Sequence, residues 1–351
     1  MNVSPLFKRT LIAGCLALVA VSPAAFAEVR LMGSGASFPA PIYAKWFKDF
    51  SSATKGARVD YQSKGSGAGI QDFINQIVDF AGSDAAMNDE QIGQVKNGVV
   101  LLPVTAGEIV LTYNLPGVSE LRLPREVYPA IFTGEITKWN DPRIAAANPG
   151  VDLPDRDITV VVRSDSSGTT YVFTGHLAAI DEAFNSEIGQ GTSPQWPQSA
   201  KFVKAPKNDG VTATVKQTPG AIGYVEFGFA KLTGAPVALL ENRDGEFVAP
   251  GPETGSAALA SAEFPGGNLP GSEVPDLRAW VFDPAGAQAY PIATFTWLLF
   301  PETQDPAKAA VARDLVEYIL TEGQKSADEL GYVPLPDNVI DKVREVAQLI
   351  R

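Results

Sequence analysis

The 351-residue chain has one cysteine, Cys15, one histidine, His176, and three methionines. That scarcity excludes several kinds of chemistry. A zinc site draws on several His or Cys ligands at short spacing, and the chain cannot assemble such a set. A Ser–His–Asp hydrolase needs a nucleophile elbow, G-x-S-x-G; Ser66 has Lys64 where the first glycine belongs. No G-x-x-x-x-G-K-[ST] loop is present to cradle a nucleotide. His176 falls about two turns inside a helical stretch and reads as a helix-face residue. Repeats, heptads and low-complexity blocks are also missing. Charged residues make up 19% against 45% hydrophobic, an ordinary globular balance rather than a disordered one.

The apolar run Leu11 to Val21 is too short to span a bilayer, which takes about 20 residues. Lys8 and Arg9 precede it, Ser22-Pro23-Ala24 breaks it, and Ala25-Phe26-Ala27 is the small-x-small pattern of a signal-peptidase site. Residues 1–27 therefore read as a cleavable signal peptide, with the mature chain starting at Glu28. Ile12-Ala13-Gly14-Cys15 also matches a lipoprotein box. However, only Thr10 to Gly14 separate Arg9 from that cysteine, too little for an apolar region before the cut. Cleavage at the later site removes Cys15, so no disulfide or thiol chemistry is expected. An exported chain without a lipid anchor points to a Gram-negative periplasm.

Removing Lys8 and Arg9 moves the formal net charge from −12 to about −14. Such an acidic balance argues against nucleic acid or an anionic membrane as partner. A small anion is not excluded, because a buried anion site depends on local donors and dipoles.

The length favours two lobes over one core. Ala57 to Tyr61, Val78 to Gly82, Ile109 to Asn114 and Ile158 to Arg163 read as strands. Pro39 to Phe50, Gly69 to Ile77 and Val311 to Leu320 have helical periodicity. The alternation is the α/β signature. Asn242 to Gly286 is rich in Gly, Pro, Ala and Ser and reads as loop with one short helix. Ile109 to Asn114 and Ala293 to Phe300 are apolar enough to be buried strands crossing between lobes.

Three glycine-rich polar turns each open a helix: Gly33 to Pro39, Lys64 to Gly69, and Arg163 to Thr170. Helix N-termini leave N–H groups unpaired and carry partial positive charge. Glycine permits close backbone approach, and hydroxyls add donors. Ser37 occupies an N-cap position before Pro39, and capping preferences alone account for any one such turn. Three together, with Arg163 at a strand's carboxyl end, suit a tetrahedral oxyanion. Asp84, where a strand runs out, reads either as a turn or N-cap aspartate before Asn88 to Gln94, or as a selector. An ionised carboxylate accepts the proton of hydrogen phosphate and repels sulfate, which brings none.

The segments GSGASFPAPIYAKW (Gly33 to Trp46), YQSKGSGAGI (Tyr61 to Ile70), VDFAGSDAAM (Val78 to Met87) and ITKWNDPRIAAANPG (Ile136 to Gly150) stand in this order. VVVRSDSSGTTYVFT (Val160 to Thr174), NDGVTATVKQTPGAIGYVEF (Asn208 to Phe227) and YPIATFTWLL (Tyr290 to Leu299) follow them. Through these segments nearly the whole mature chain resembles the periplasmic phosphate-binding proteins of bacterial high-affinity phosphate ABC transporters. The resemblance implies a two-lobe type II periplasmic-binding-protein fold, with mixed sheets flanked by helices and a ligand cleft between the lobes. Residues 28–110 and 289–351 would form the first lobe and residues 111–288 the second. It further implies capture of inorganic phosphate without catalysis and delivery to a transmembrane permease, by a monomer needing no metal or cofactor.

Carried over by position, Ser37 and Phe38 would donate from the first turn and Ser66 from the second. Asp84 would take the ligand proton, and Arg163 would supply the charged donor. Asp165 would orient that guanidinium or accept a further proton, while Ser167, Gly168 and Thr169 complete the third turn. Gly67-Ala68 replaces a common Ser-Gly, and Ser166 stands where glycine is common; both bear on affinity more than on ligand class. Trp46, Trp139, Trp196, Trp280 and Trp297 read first as core or lobe-packing residues, and Trp139, in Thr137 to Pro142, keeps a permease contact as its alternative. A phosphatase-like hydrolase using the same cradle, or a receptor for sulfate or molybdate, are the alternatives.

Overall fold

The alternation of strand and helix is carried through the chain in the computed structural model, which describes residues 28–351. The leader, its cleavage sites and Cys15 lie outside the described residues. In chain order the first elements are β1 (Val29–Gly35), α1 (Ala40–Ala53), β2 (Ala57–Ser63), α2 (Ser66–Ile74), β3 (Phe80–Ser83), α3 (Asp89–Gly93) and β4 (Val99–Tyr113). Next come β5 (Arg122–Leu123), α4 (Val127–Thr133), α5 (Pro142–Ala147), β6 (Thr159–Arg163), α6 (Gly168–Ile180), α7 (Glu182–Glu187), β7 (Phe202–Ala205) and α8 (Lys207–Gln217). The last are β8 (Ala221–Glu226), α9 (Phe227–Thr233), β9 (Leu239–Glu241), β10 (Phe247–Val248), α10 (Pro252–Leu259), β11 (Ala293–Pro301), α11 (Pro306–Tyr318) and α12 (Asp337–Ala347). Among the described residues no helix is long and apolar enough to cross a membrane.

Eight strands form one sheet in the order β2-β1-β3-β11-β4-β8-β6-β7. Its spine is β4, all fifteen residues of which are buried. From Val99 to Glu108 it pairs antiparallel with β11, and from Ile109 to Tyr113 it pairs antiparallel with β8. One continuous strand thus belongs to both halves of the sheet. β11 pairs only with β3 and with β4 up to Glu108, so it stays in one half instead of crossing. The crossing function expected of two strands falls on β4 and on the segment leading into β11, where Ile109 N–H bonds the Ile292 carbonyl at 2.9 Å.

β4 also accommodates a proline in its interior. The register shifts so that Thr105 faces Thr296 and Pro103 faces Trp297, with Val104 as the extra residue. A bulge is where a central strand tolerates a missing N–H. The Val104 carbonyl takes the Gln324 side-chain amide at 2.9 Å instead of a strand partner.

The loop-rich stretch after Asn242 contains α10, as expected, and the minor strand β10, which pairs with β9. β1, β2 and β3 run one way and β6 the other. The carboxyl ends of the two half-sheets therefore point toward each other where β4 passes from β11 to β8, and the three polar turns follow β1, β2 and β6.

Candidate functional site

Each polar turn follows the carboxyl end of a strand of the main sheet, two from the half containing β1 and β2 and one from the half containing β6. The turns of the two halves meet face to face. α1 and α2 start without any side-chain cap, at Pro39 and Gly65 respectively. Ser37 therefore does not serve as the N-cap expected of it, since the helix begins further on. Its hydroxyl instead accepts hydrogen bonds from Arg163 Nη2 at 3.1 Å and from Asn208, through the backbone N–H at 3.1 Å and Nδ2 at 2.9 Å. Phe38 is fully buried, its ring edge-on to Tyr332 and its carbonyl accepting the Tyr332 hydroxyl at 2.7 Å. Its side chain anchors the turn, leaving only backbone to face a ligand.

α6 is capped, with the Ser167 hydroxyl accepting the Thr170 N–H at 3.0 Å. Gly168 and Thr169, its first two residues, have N–H groups ahead of any intrahelical acceptor. A Cβ on Gly168 would overlap Ser66 Oγ and come within 2.8 Å of Asp84 Oδ2 and 2.9 Å of Ala85 N. The third turn therefore sits directly against the second turn and Asp84. The Gly67 N–H also bonds the Ser166 carbonyl at 3.0 Å.

Arg163 ends β6 with its side chain almost wholly buried. Asp165 holds it in a fork: Nε donates to Oδ1 at 2.9 Å and Nη2 to Oδ2 at 2.5 Å. Oδ1 also accepts the Lys207 N–H at 2.8 Å. Burial works against the Asp165 carboxylate, but the hydrogen bonds and charge of Arg163 outweigh it and hold its pKa below the usual range. Of the two roles expected for Asp165, orienting the guanidinium fits this geometry; accepting a ligand proton does not. Arg163 Nη1 is the remaining arm. It is buried and meets no protein acceptor.

Asp84 is 1% exposed and caps nothing, because Asn88 supplies the N-cap of α3 and closes a capping box with Gln91. Its N–H bonds Ser66 Oγ at 3.3 Å, and Oδ1 accepts the Thr296 hydroxyl at 2.9 Å. Burial pushes its pKa up to about 7, against the opposing pull of Thr296 and Arg163. At neutral pH the carboxyl is thus poised between acceptor and donor, not fully ionised. With Arg163 neutralised by Asp165, the site offers oriented donors and one free guanidinium arm more than it offers net charge.

A family model described as the PBP superfamily domain matches residues 21–322. Phosphate-binding protein PstS of Xylella fastidiosa is 36% identical over 319 residues, covering 90% of this chain and 84% of that protein. Phosphate-binding protein PstS of Pasteurella multocida is 37% identical over 319 residues, 90% of this chain and 88% of that protein. The chain belongs to the PstS family of phosphate-binding proteins. Solved structures agree on the two-lobe fold: a phosphate-binding protein from Stenotrophomonas maltophilia superposes with a TM-score of 0.71 at 23% identity, covering 91% of this chain and 94% of that one. A phosphate ABC transporter substrate-binding protein from Clostridium perfringens, solved with bound phosphate, gives 0.63 at 15% identity, covering 88% and 100%.

Within this PstS-family chain, the fold brings together all nine residues singled out from the sequence: Ser37, Phe38, Ser66, Asp84, Arg163, Asp165, Ser167, Gly168 and Thr169. Asn208 and Thr296 also belong to the cluster and were not anticipated. Asn208 opens α8 after β7, at a fourth strand–turn–helix junction whose Pro206-Lys207 step includes a left-handed Lys207, φ 57°. A Pro-x-Asn-Asp-Gly sequence there was a readable turn signal. Thr296 lies in a strand and left no such mark. Of the five tryptophans Trp280 is the exposed one. Trp139 is fully buried, and its Nε1 donates to the Gly220 carbonyl at 2.9 Å, which agrees with the core reading and rules out the alternative of a permease contact. His176 is likewise buried, between Tyr128 and the Phe282 carbonyl, and burial lowers its pKa to about 4.

Proposed function

We propose that this chain is an extracytoplasmic receptor that captures inorganic phosphate in its cleft and hands it to the permease of an ABC transporter. The observation that carries the reading is Arg163 Nη1, a buried guanidinium arm without a protein acceptor, aimed among uncapped helix starts beside the poised Asp84. A tetrahedral oxyanion would complete that arm and the N–H groups of Phe38, Gly168 and Thr169. The hydroxyls of Ser37 and Ser66 add further donors. Ser167 keeps the third turn in place. Asp84 supplies what a set of donors cannot: an acceptor for a ligand that carries its own proton. Hydrogen phosphate brings that proton and sulfate does not, so the carboxylate form of Asp84 favours the first and repels the second.

The names of the curated relatives support the same ligand class. In this reading residues 28–110 and 289–351 form one lobe, residues 111–288 the other, and the receptor works as a monomer in the periplasm after its leader is removed. The reading is capture without chemistry. Calorimetric titration of the mature protein tests it: tight binding of phosphate and weak binding of sulfate at pH 7 are expected. Asp84→Asn should narrow that gap. Equal heats for both anions in the unmodified protein would remove Asp84 as selector, and no phosphate binding would overturn the function.

A further inference from the structure

Asn208 is fully buried, and its three side-chain contacts leave its amide only one orientation. Oδ1 accepts the Glu226 backbone N–H at 2.9 Å. A backbone N–H can only donate, so the oxygen must face it, and a flipped amide would set two donors against each other. Nδ2 then faces two hydroxyls, Ser37 Oγ at 2.9 Å and Thr169 Oγ1 at 3.1 Å, with one hydrogen for each. Ser37 Oγ also receives Arg163 Nη2 and the Asn208 backbone N–H. All of its protein neighbours are donors, so none can accept its own hydrogen.

We propose that Asn208 is a positioning residue that fixes the hydroxyls of Ser37 and Thr169, one from each side of the cleft, as donors toward the bound anion. The inference rests on the phosphate reading above and deepens it. A free hydroxyl can present either a hydrogen or a lone pair to a ligand. With its acceptor side filled by Asn208 and Arg163, the Ser37 hydroxyl presents its hydrogen. Thr169 spends one lone pair on Nδ2, which turns its own hydrogen away from Asn208. The rigid frame is β8, whose terminal N–H at Glu226 sets the amide. Information about donor polarity thus runs from a sheet backbone through one side chain to both walls of the cleft. A ligand oxygen opposite Ser37 must be an acceptor and one opposite Thr169 is favoured as one, so Asp84 is the better place for a ligand hydroxyl.

A double-mutant cycle tests this. Asn208→Asp keeps the shape and still accepts the Glu226 N–H, but its second oxygen takes the two hydroxyl hydrogens for itself. Phosphate affinity at pH 8 is expected to fall about a hundredfold or more. Part of that loss is added charge, which is the same in any background. The hydroxyl part disappears when the hydroxyls are absent, so in a Ser37→Ala, Thr169→Val background the penalty should be at least tenfold smaller. The loss should also shrink as pH falls and the new carboxyl protonates. Thermal unfolding of each variant checks that it is folded; should Asn208→Asp not fold, Asn208→Ala runs through the same cycle with a smaller coupling of the same sign. Equal penalties in both backgrounds, with wild type binding phosphate normally, overturn the inference alone. Wild-type protein that takes up no phosphate overturns the function reading and this inference together.

Discussion

Asp84→Asn should change the pH dependence of folding in the ligand-free protein, by an amount set by the Asp84 environment. Its carboxyl is buried among Ser66, Thr296 and the third turn, and burial raises its pKa to about 7. In the unfolded chain an aspartate titrates near 3.9. A carboxyl whose folded pKa lies above its unfolded one contributes stability that is complete below about pH 4. That contribution is lost as pH rises through about 7, because the folded state must bury a charge. The gap is about 3 pH units at about 1.36 kcal/mol each, an upper bound of about 4 kcal/mol. Asparagine keeps the acceptor for the Thr296 hydroxyl and never ionises. The variant should therefore gain on wild type progressively from about pH 4 to 7 and level off above. Glu108, pushed up to about 8 by burial, gives the whole protein a slope of the same sign. The informative quantity is thus the difference between variant and wild type, measured by urea denaturation at matched pH. Parallel stability profiles from about pH 4 to 7 would refute the claim that Asp84 is held near neutrality.

Two other predictions concern closure. A Cβ on Gly67 would come within 2.5 Å of Ser166 Cβ and overlap its hydroxyl, so Gly67→Ala should weaken phosphate binding roughly tenfold by holding the second and third turns apart. Adding Ser166→Gly should restore most of it, and titration that shows no rescue would mean the two turns do not meet in the bound state. Phosphate should also compact the protein as the lobes close; small-angle scattering with identical dimensions in both states would argue for a rigid cleft.

Much of this was legible from residue order, because strand, glycine-rich turn and helix recur and each turn has a local reason to exist. The Arg163 turn is the clearest case: a β-branched strand, a polar turn and a helix start that needs a cap. What was hidden depended on tertiary packing. Around β4 only Ile109 to Asn114 is legible as a strand because Pro103 and Gly107 interrupt the residues before it, yet a bulge at Val104 and the Gln324 amide carry one strand through from Val99. Thr296 is a hydroxyl in an apolar strand, and only the pairing of β11 with β3 sets it against Asp84. Trp139 left a second reading open because polar neighbours surround a residue whose own side chain is in the core. The Gly67 and Ser166 departures, read separately as threats to affinity, are complementary in space. One supplies the room that the other fills.

The shared strand has a mechanical corollary. β4 is hydrogen-bonded on one flank through its first ten residues and on the other through its last five. If neither ladder is released, any bending between the two halves would fall on the torsions around Glu108 and Ile109, and on the segment leading into β11 at Ile292. Glu108 and Ile109 are both buried. A substitution there would alter folding stability and opening stiffness at once, so mutational tuning of the opening equilibrium is better sought in the cleft-rim contacts than in the pivot.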